Sequence, residues 1–122
     1  QCHKQQNKMA MKFSEFDTYP LQTKRLTTYD SVNGGVNVIK ASAGFLHAIT
    51  FAQVDVAPTA GIISIYDSTS IYGDSANLLF SHYQTTAVFM PQTVTLDIPF
   101  GTALSVAIPV GMTDVGITLS YK

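Results

Sequence analysis

The sequence of 122 residues contains one cysteine, no tryptophan and few charged side chains. A single thiol, Cys2, cannot form an internal disulfide, so the chain is not a disulfide-stabilised scaffold. No apolar run reaches the roughly 18 residues that a membrane-spanning helix needs, and we therefore expect no membrane partner. A chain of this length suits one domain that buries its own core without a structural metal.

Charged residues make up only 12% of the chain, whereas soluble globular domains carry about a quarter. So low a charge content in a β-rich chain indicates that partners cover part of its surface. The alternative is a sheet whose exposed face is rich in serine and threonine. The composition alone leaves both interpretations open.

The charge is unevenly distributed along the chain. Residues 1–25 hold five basic and two acidic side chains, a net charge of +3, whereas residues 26–122 hold two lysines and six aspartates, a net charge of −4. A basic leading segment on an acidic body is typical of an arm that binds a neighbouring subunit or a polyanion. Because the basic residues are few and not clustered with aromatic ones, we expect no direct contact with nucleic acid. A solvated segment is the alternative.

Catalytic and metal-binding patterns are missing from the sequence: it has no Gly-x-Ser-x-Gly elbow, His-Glu-x-x-His motif, paired cysteines or phosphate loop. His47 is expected to be hydrogen-bonded within the core, and His82 to lie on the surface. The stretch from Asp67 to Asp74 lacks the spacing of a calcium loop, and we interpret it as turn capping after a strand. Asp97 is expected on the solvent face of its strand. We predict that the protein is not an enzyme and has no metal or cofactor.

Short runs of apolar and β-branched residues, separated by Gly, Pro and Asn, predict seven to nine strands and no helix in the body of the chain. Residues 35–67 are predicted to form three of these strands, and Asn33-Gly34 is a strong hairpin signal. The fold class is therefore all-β, with two packed antiparallel sheets. Period-two alternation predicts that seven later residues point into the core: Val94, Leu96, Ile98, Leu104, Val106, Ile117 and Leu119.

The order and spacing of several segments resemble those of small virion proteins of tailed bacteriophages, the type that decorates or cements a capsid. The segments are VIKASAGFLHAI at 38–49, GIISIYDS at 61–68, LDIPF at 96–100 and DVGITLSY at 114–121. The resemblance covers residues 35–122. We assign residues 23–122 to a β-sandwich domain and residues 1–22 to an extended N-terminal arm, which the resemblance does not cover. The resemblance implies that the domain is an antiparallel, jelly-roll-like β-sandwich. It also implies the absence of an active site.

The expected function that follows is capsid cementing, in which the chain bridges subunits of the major capsid protein. The resemblance implies a homotrimer on the capsid exterior of the virion, made in the host cytoplasm. The alternative is a receptor- or glycan-binding module of a tail fibre, which would use the loop 68–74 with Tyr66, Tyr72 and Tyr83. A lone lectin-like domain is a third possibility. We expect the arm to form the subunit or capsid interface through Met11, Phe13, Phe16, Lys24 and Arg25.

The absence of a ligand constellation generates a first prediction about metals. Adding EDTA should leave the melting temperature unchanged, because no metal contributes to folding. Thermal unfolding followed by circular dichroism checks this. A fall of several degrees that calcium reverses would contradict it and indicate a site in the loop 67–74.

Overall fold

The computed structural model describes residues 21–70 and 75–122. The described chain is all-β, and its one helical element is a short 3-10 turn at Ser75–Asn77. Eight strands are present: β1 (Gln22–Thr27), β2 (Val36–Lys40), β3 (Gly44–Gln53), β4 (Gly61–Tyr66), β5 (Leu78–Gln84), β6 (Gln92–Phe100), β7 (Leu104–Ala107) and β8 (Val115–Tyr121). The all-β prediction is confirmed, whereas nearly all of the predicted arm lies outside the described residues.

The strands form two antiparallel sheets of four. The first sheet has the order β1-β8-β3-β6 and the second has the order β2-β7-β4-β5. Among consecutive strands only β4 and β5 are neighbours in one sheet, so most connections cross from one sheet to the other. Pairing is therefore dominated by contacts between residues distant in sequence.

The hairpin predicted at Asn33-Gly34 is wrong, because β1 pairs with β8 and β2 pairs with β7. Gly34 does have the positive φ, 79°, that this dipeptide favours. Its N–H donates to the carbonyl of Ile108 at 2.6 Å. The turn thus carries the chain between the sheets instead of closing a ladder.

The two sheets share one hydrophobic core. Leu46, Ile49 and Phe51 of β3 are fully buried together with Ile63 and Ile65 of β4. These side chains come from opposite sheets, so the inner faces of both sheets must meet for either to lose its contact with water.

His82 of β5 extends this core, since its ring stacks on that of Phe51 with the centroids 4.0 Å apart and the planes 14° apart. Its Nε2 lies 3.0 Å from Oε1 of Gln84. The prediction of a surface histidine is therefore wrong. The reason is that β5 pairs His82 with the inward-facing Ile63, which directs the imidazole towards the core.

The seven residues predicted to point inward divide into two groups. Four of them, Leu104, Val106, Ile117 and Leu119, are fully buried. The other three, Val94, Leu96 and Ile98, are half-buried because β6 is an edge strand that pairs only with β3. Alternation predicted the direction of these side chains, but not that their strand would lie at an edge.

This difference in burial predicts unequal costs for two leucine truncations. Leu119→Ala should destabilise the fold by about 2–5 kcal/mol, because it leaves a cavity in a closed core. Leu96→Ala should cost less than about 2 kcal/mol, since solvent already reaches part of that side chain. Denaturant titration of both variants measures the two free energies of unfolding. A larger loss at Leu96 than at Leu119 would contradict the assignment of β6 to the edge.

Candidate interaction surfaces

The outer face of the second sheet is apolar. Ile62 lies opposite Tyr83, Tyr66 lies opposite Leu78, and Val38 lies opposite Ser105. The side chains that alternate with them along the strands are buried, so these residues point away from the core. Val38, Ile62, Leu78 and Tyr83 are between 42% and 63% exposed. We call this surface the apolar face.

No outward-facing side chain that the strand register assigns to β2, β7, β4 or β5 is charged. The residues between the exposed apolar ones are Ser64, Ser81 and Ala107. Lys40 lies opposite the buried Leu104, on the inner side of the sheet. Ile62, Leu78 and Tyr83 lie on the adjacent strands β4 and β5, whereas Val38 lies on β2 beyond Ser105, which has no solvent exposure. An uncharged surface with several exposed large apolar side chains marks a site of protein association more often than a solvated surface.

The outer face of the first sheet has the opposite character. One row across its four strands contains Arg25, Thr118, Thr50 and Thr93, and the next contains Thr23, Ser120, Ala48 and Thr95. The hydroxyls of Thr50 and Thr93 are 2.9 Å apart. We call this surface the threonine face. The interpretation of the low charge content as a serine- and threonine-rich exposed face thus applies to the first sheet.

A second group of exposed apolar residues lies at one end of the molecule, on the connections 28–35, 54–60, 85–91 and 108–114. We call this the loop end. Hydrogen bonds hold three of the connections together: Val54 donates to the Asp114 carbonyl at 3.0 Å, and Asn33 donates to the Met112 carbonyl at 3.0 Å. The fourth is joined through Phe89, whose N–H donates to Oε1 of Gln53 at 3.2 Å. Exposed large apolar residues occur on all four connections: Tyr29, Val32, Val54, Val56, Val88, Met90 and Val110.

The loop end is also acidic, since its four connections contain Asp30, Asp55 and Asp114 but no lysine or arginine. Asp114 is buried, has a positive φ of 63° and accepts a hydrogen bond from the Tyr29 hydroxyl at 2.5 Å. This bond raises the pKa of Tyr29, and partial desolvation and the charges of Asp114 and Asp55 raise it further. Asp30 and Asp55 are exposed and form no salt bridge among the described residues.

The opposite end of the sandwich is organised by Asp67. Its carboxylate accepts backbone N–H bonds from Gly101 and Thr102 at 2.8 Å and from Ala103 at 3.1 Å. The interpretation as turn capping after β4 is wrong for Asp67, because its carboxylate caps the β6–β7 connection instead. In the loop that follows β4, Ser68 Oγ accepts a hydrogen bond from the Ser70 N–H at 3.0 Å. The three donors occupy oxygens that a calcium ion would need. Asp74 lies outside the described residues.

His47 and Asp97 form an ion pair on the solvent side of β3 and β6, with Nδ1 and Oδ1 2.6 Å apart and side-chain exposures of 39% and 53%. The exposed Asp97 is confirmed, whereas the core position expected for His47 is wrong. The pairing register shifts between Leu46 and Ala48, and Asp97 has a φ of 52°. These irregularities turn both side chains outward. Such an exposed pair contributes about 0–1 kcal/mol.

Of the predicted interface residues, only Lys24 and Arg25 lie in the described part of the chain. Met11, Phe13 and Phe16 lie outside the described residues. Lys24 and Arg25 are both exposed on β1, but they are consecutive in a strand and point to opposite sides of the first sheet. They therefore form no single basic patch, although charges on an edge strand do discourage pairing with another chain.

The tyrosines proposed for glycan binding are also apart. Tyr83 pairs with Ile62 near the start of β4, whereas Tyr66 ends that strand and Tyr72 lies outside the described residues. Ile62 and Tyr66 are four positions apart along the strand, a distance of about 13 Å. No loop site formed jointly by Tyr66 and Tyr83 is present.

Sequence reasoning missed both the apolar face and the loop end. The alternating run Ile62-Ile63-Ser64-Ile65-Tyr66 was available, but the apolar Ile62 on its outward face could not be distinguished from a core residue. Grouping the four connections required the strand order, which no local pattern specifies. The sequence signal that could have located the loop end is the recurrence of valine in predicted connections that contain aspartate but no basic residue.

Comparisons with protein-family models, curated proteins and solved structures found no match to this chain. Among residues 21–70 and 75–122, no group of three or more metal-ligating side chains is close enough to hold an ion. The same residues contain no helix of the length and apolarity needed to span a membrane. The surfaces themselves are therefore the basis for a functional proposal.

The hydrogen bonds to Asp67 predict a pH dependence of stability. Partial burial alone would raise the pKa of this carboxyl, but the three backbone donors outweigh it and lower the pKa. The carboxylate stabilises the fold fully above its unfolded-state pKa of about 3.9. This contribution is lost as the pH falls through the lower folded-state value.

Asp67→Asn should therefore be less stable than the wild type at pH 7, with the difference shrinking below pH 4. Urea titrations of both proteins from pH 7 to pH 2 measure it. A difference that stays constant over this range would show that the charge of Asp67 does not stabilise the turn.

Proposed function

We propose that the protein is a structural component of a bacteriophage particle, not an enzyme, and that it cements the capsid by binding the major capsid protein. The observation that supports this most strongly is the apolar face. Its exposed Ile62 and Tyr83 lie side by side on a rigid sheet without a charged neighbour on that face. A rigid surface of this kind loses little conformational entropy on docking, which favours a permanent assembly contact.

We further propose that the two sheets form a jelly roll, the finer fold that the resemblance implies. Two interleaved Greek keys make an eight-stranded jelly roll, in which consecutive strands mostly alternate between the sheets. The strand orders β1-β8-β3-β6 and β2-β7-β4-β5 agree with that arrangement. In such a sandwich the connections cluster at the two ends, which leaves the outer faces for partners. On the second sheet Ser105 is an exception, since it is buried and donates a hydrogen bond to the Ser68 carbonyl at 2.6 Å.

In this proposal the apolar face contacts the capsid and the threonine face remains in water. The threonine hydroxyls form hydrogen bonds with one another, as Thr50 and Thr93 do, or with solvent, and they add no charge to the face. This division explains how a chain with 12% charged residues can stay soluble after synthesis in the host cytoplasm and then settle on the capsid exterior. A homotrimer would place three apolar faces on adjoining capsid subunits and so bridge them.

Copy number tests the proposal directly. Particles purified from cells that produce the chain should contain it in hundreds of copies per virion, as measured by quantitative mass spectrometry against the major capsid protein. A handful of copies would favour the tail-fibre alternative, and absence from the particles would contradict a virion role altogether.

Paired surface variants test which face binds. Ile62→Lys with Tyr83→Lys should reduce occupancy of the particle by at least about tenfold, because two charges would be desolvated at the contact. Thr93→Lys with Thr95→Lys adds the same two charges to the threonine face and should leave occupancy unchanged. Equal occupancy of both variants, with unchanged thermal unfolding, would refute the apolar face as the binding surface.

A further inference from the structure

The loop end lacks a partner of complementary charge within the described structure. It carries three aspartates without a basic residue, and seven exposed large apolar side chains. Two of its carboxylates, on Asp30 and Asp55, are exposed and form no salt bridge in the described part of the chain. The chemistry that would complement this surface is a segment with both lysines and large apolar side chains.

The chain itself contains such a segment. Residues 1–14 include Lys4, Lys8 and Lys12 and no acidic residue, and large apolar side chains follow closely at Met9, Met11 and Phe13. No other stretch of this length in the sequence combines three lysines with three large apolar residues. Residues 1–20 are outside the described structure, and they join it at the start of β1.

The position of that junction sets the distance that the segment must span. Gln22 at the start of β1 lies opposite Tyr121, and Thr27 at its end lies opposite Gly116, next to the loop end. The arm therefore leaves from the far end, about 20 Å from the loop end of its own subunit along the strand. Twenty residues span at most about 70 Å when extended, which is enough to reach the loop end of an adjacent copy.

Folding back along its own subunit is disfavoured by charge. An arm that returned along the free edge of β1 would place its lysines beside the exposed Lys24 and Arg25. Like charges in that position repel each other, whereas the loop end of a neighbour offers opposite charges. The arrangement thus favours exchange between copies.

We propose that residues 1–14 of the N-terminal arm bind the loop end of a second copy of this chain. Lys8 and Lys12 would face Asp30 and Asp55, and the apolar side chains of the segment would cover Val56 and Val110. This contact is heterologous, because the arm of one subunit binds the loops of the next. Two copies that exchange arms reciprocally form a closed two-fold dimer, and a cyclic exchange, in which each arm binds the next subunit, forms a larger closed ring, of which a trimer is the smallest. The contact does not require the apolar face to bind a capsid.

Charge reversal tests the contact on the purified full chain. The arm-reversed variant carries Lys8→Asp and Lys12→Asp, and the loop-reversed variant carries Asp30→Lys and Asp55→Lys. Each should raise the dissociation constant of the oligomer at least about tenfold in sedimentation experiments, because like charges then meet across the interface. Thr93→Lys with Thr95→Lys adds charge on the threonine face and should assemble like the wild type. A wild type that is monomeric at all concentrations would overturn the proposal.

Mixing the two reversed variants distinguishes exchange from folding back. The acidic arm of one variant matches the basic loops of the other, so an equimolar mixture should form dimers or even-numbered rings in which the two variants alternate, although each variant alone does not assemble. A ring of three would keep one mismatched contact. An arm bound to its own loops could not be restored by a second chain, and a mixture that stays monomeric would therefore overturn the proposal.

If loop reversal prevents folding, Val110→Lys replaces it. Val110 is 85% exposed. The variant should therefore unfold at the wild-type temperature, and its assembly should be weaker than that of the wild type. Unchanged assembly of folded Val110→Lys would contradict the assigned acceptor surface.

Discussion

Strand β3 pairs with β6 on one side and β8 on the other, and it places Leu46, Ile49 and Phe51 in the core with no solvent exposure. These side chains are buried only if the second sheet packs against them, so the inner faces of both sheets form the hydrophobic core and are closed to partners. Surface chemistry is therefore confined to the two outer faces and the two ends. At one end the carboxylate of Asp67 fixes the β6–β7 turn, which leaves the outer faces and the loop end as the surfaces available for partners.

The sequence predicted the elements better than their arrangement. Alternation correctly assigned Leu104, Val106, Ile117 and Leu119 to the core, because the period of two is a local property of a strand. The same pattern could not place β6 at an edge, and Asn33-Gly34 predicted a hairpin between strands that belong to different sheets. His47 was misplaced for a related reason, since a shift in pairing register turns it outward. Edges, bulges and sheet crossings depend on residues that are distant in sequence, and a single sequence does not encode them in a readable pattern.

The apolar face and the loop end differ in charge, and we propose a separate role in an assembly for each. The apolar face has no charge, so its binding should depend little on salt and suits a permanent contact with a large partner. The loop end combines exposed valines with exposed carboxylates, so its contacts are selective for a basic partner and weaken as salt screens them. A ring of copies held by arms at the loop ends would leave every apolar face free for the capsid. The low charge content, the basic leading segment and the acidic body then have one common explanation.

Covalent footprinting of the chain in purified particles tests the central claim most directly, because it compares the two outer faces within one molecule. Carbene labelling of the free and the particle-bound chain, read by peptide mass spectrometry, should show strong protection of Ile62 and Tyr83 on binding. Thr93 and Thr95 should be labelled equally in both states. Protection of the threonine face with unchanged labelling of Ile62 and Tyr83 would contradict the assignment of the apolar face as the capsid contact.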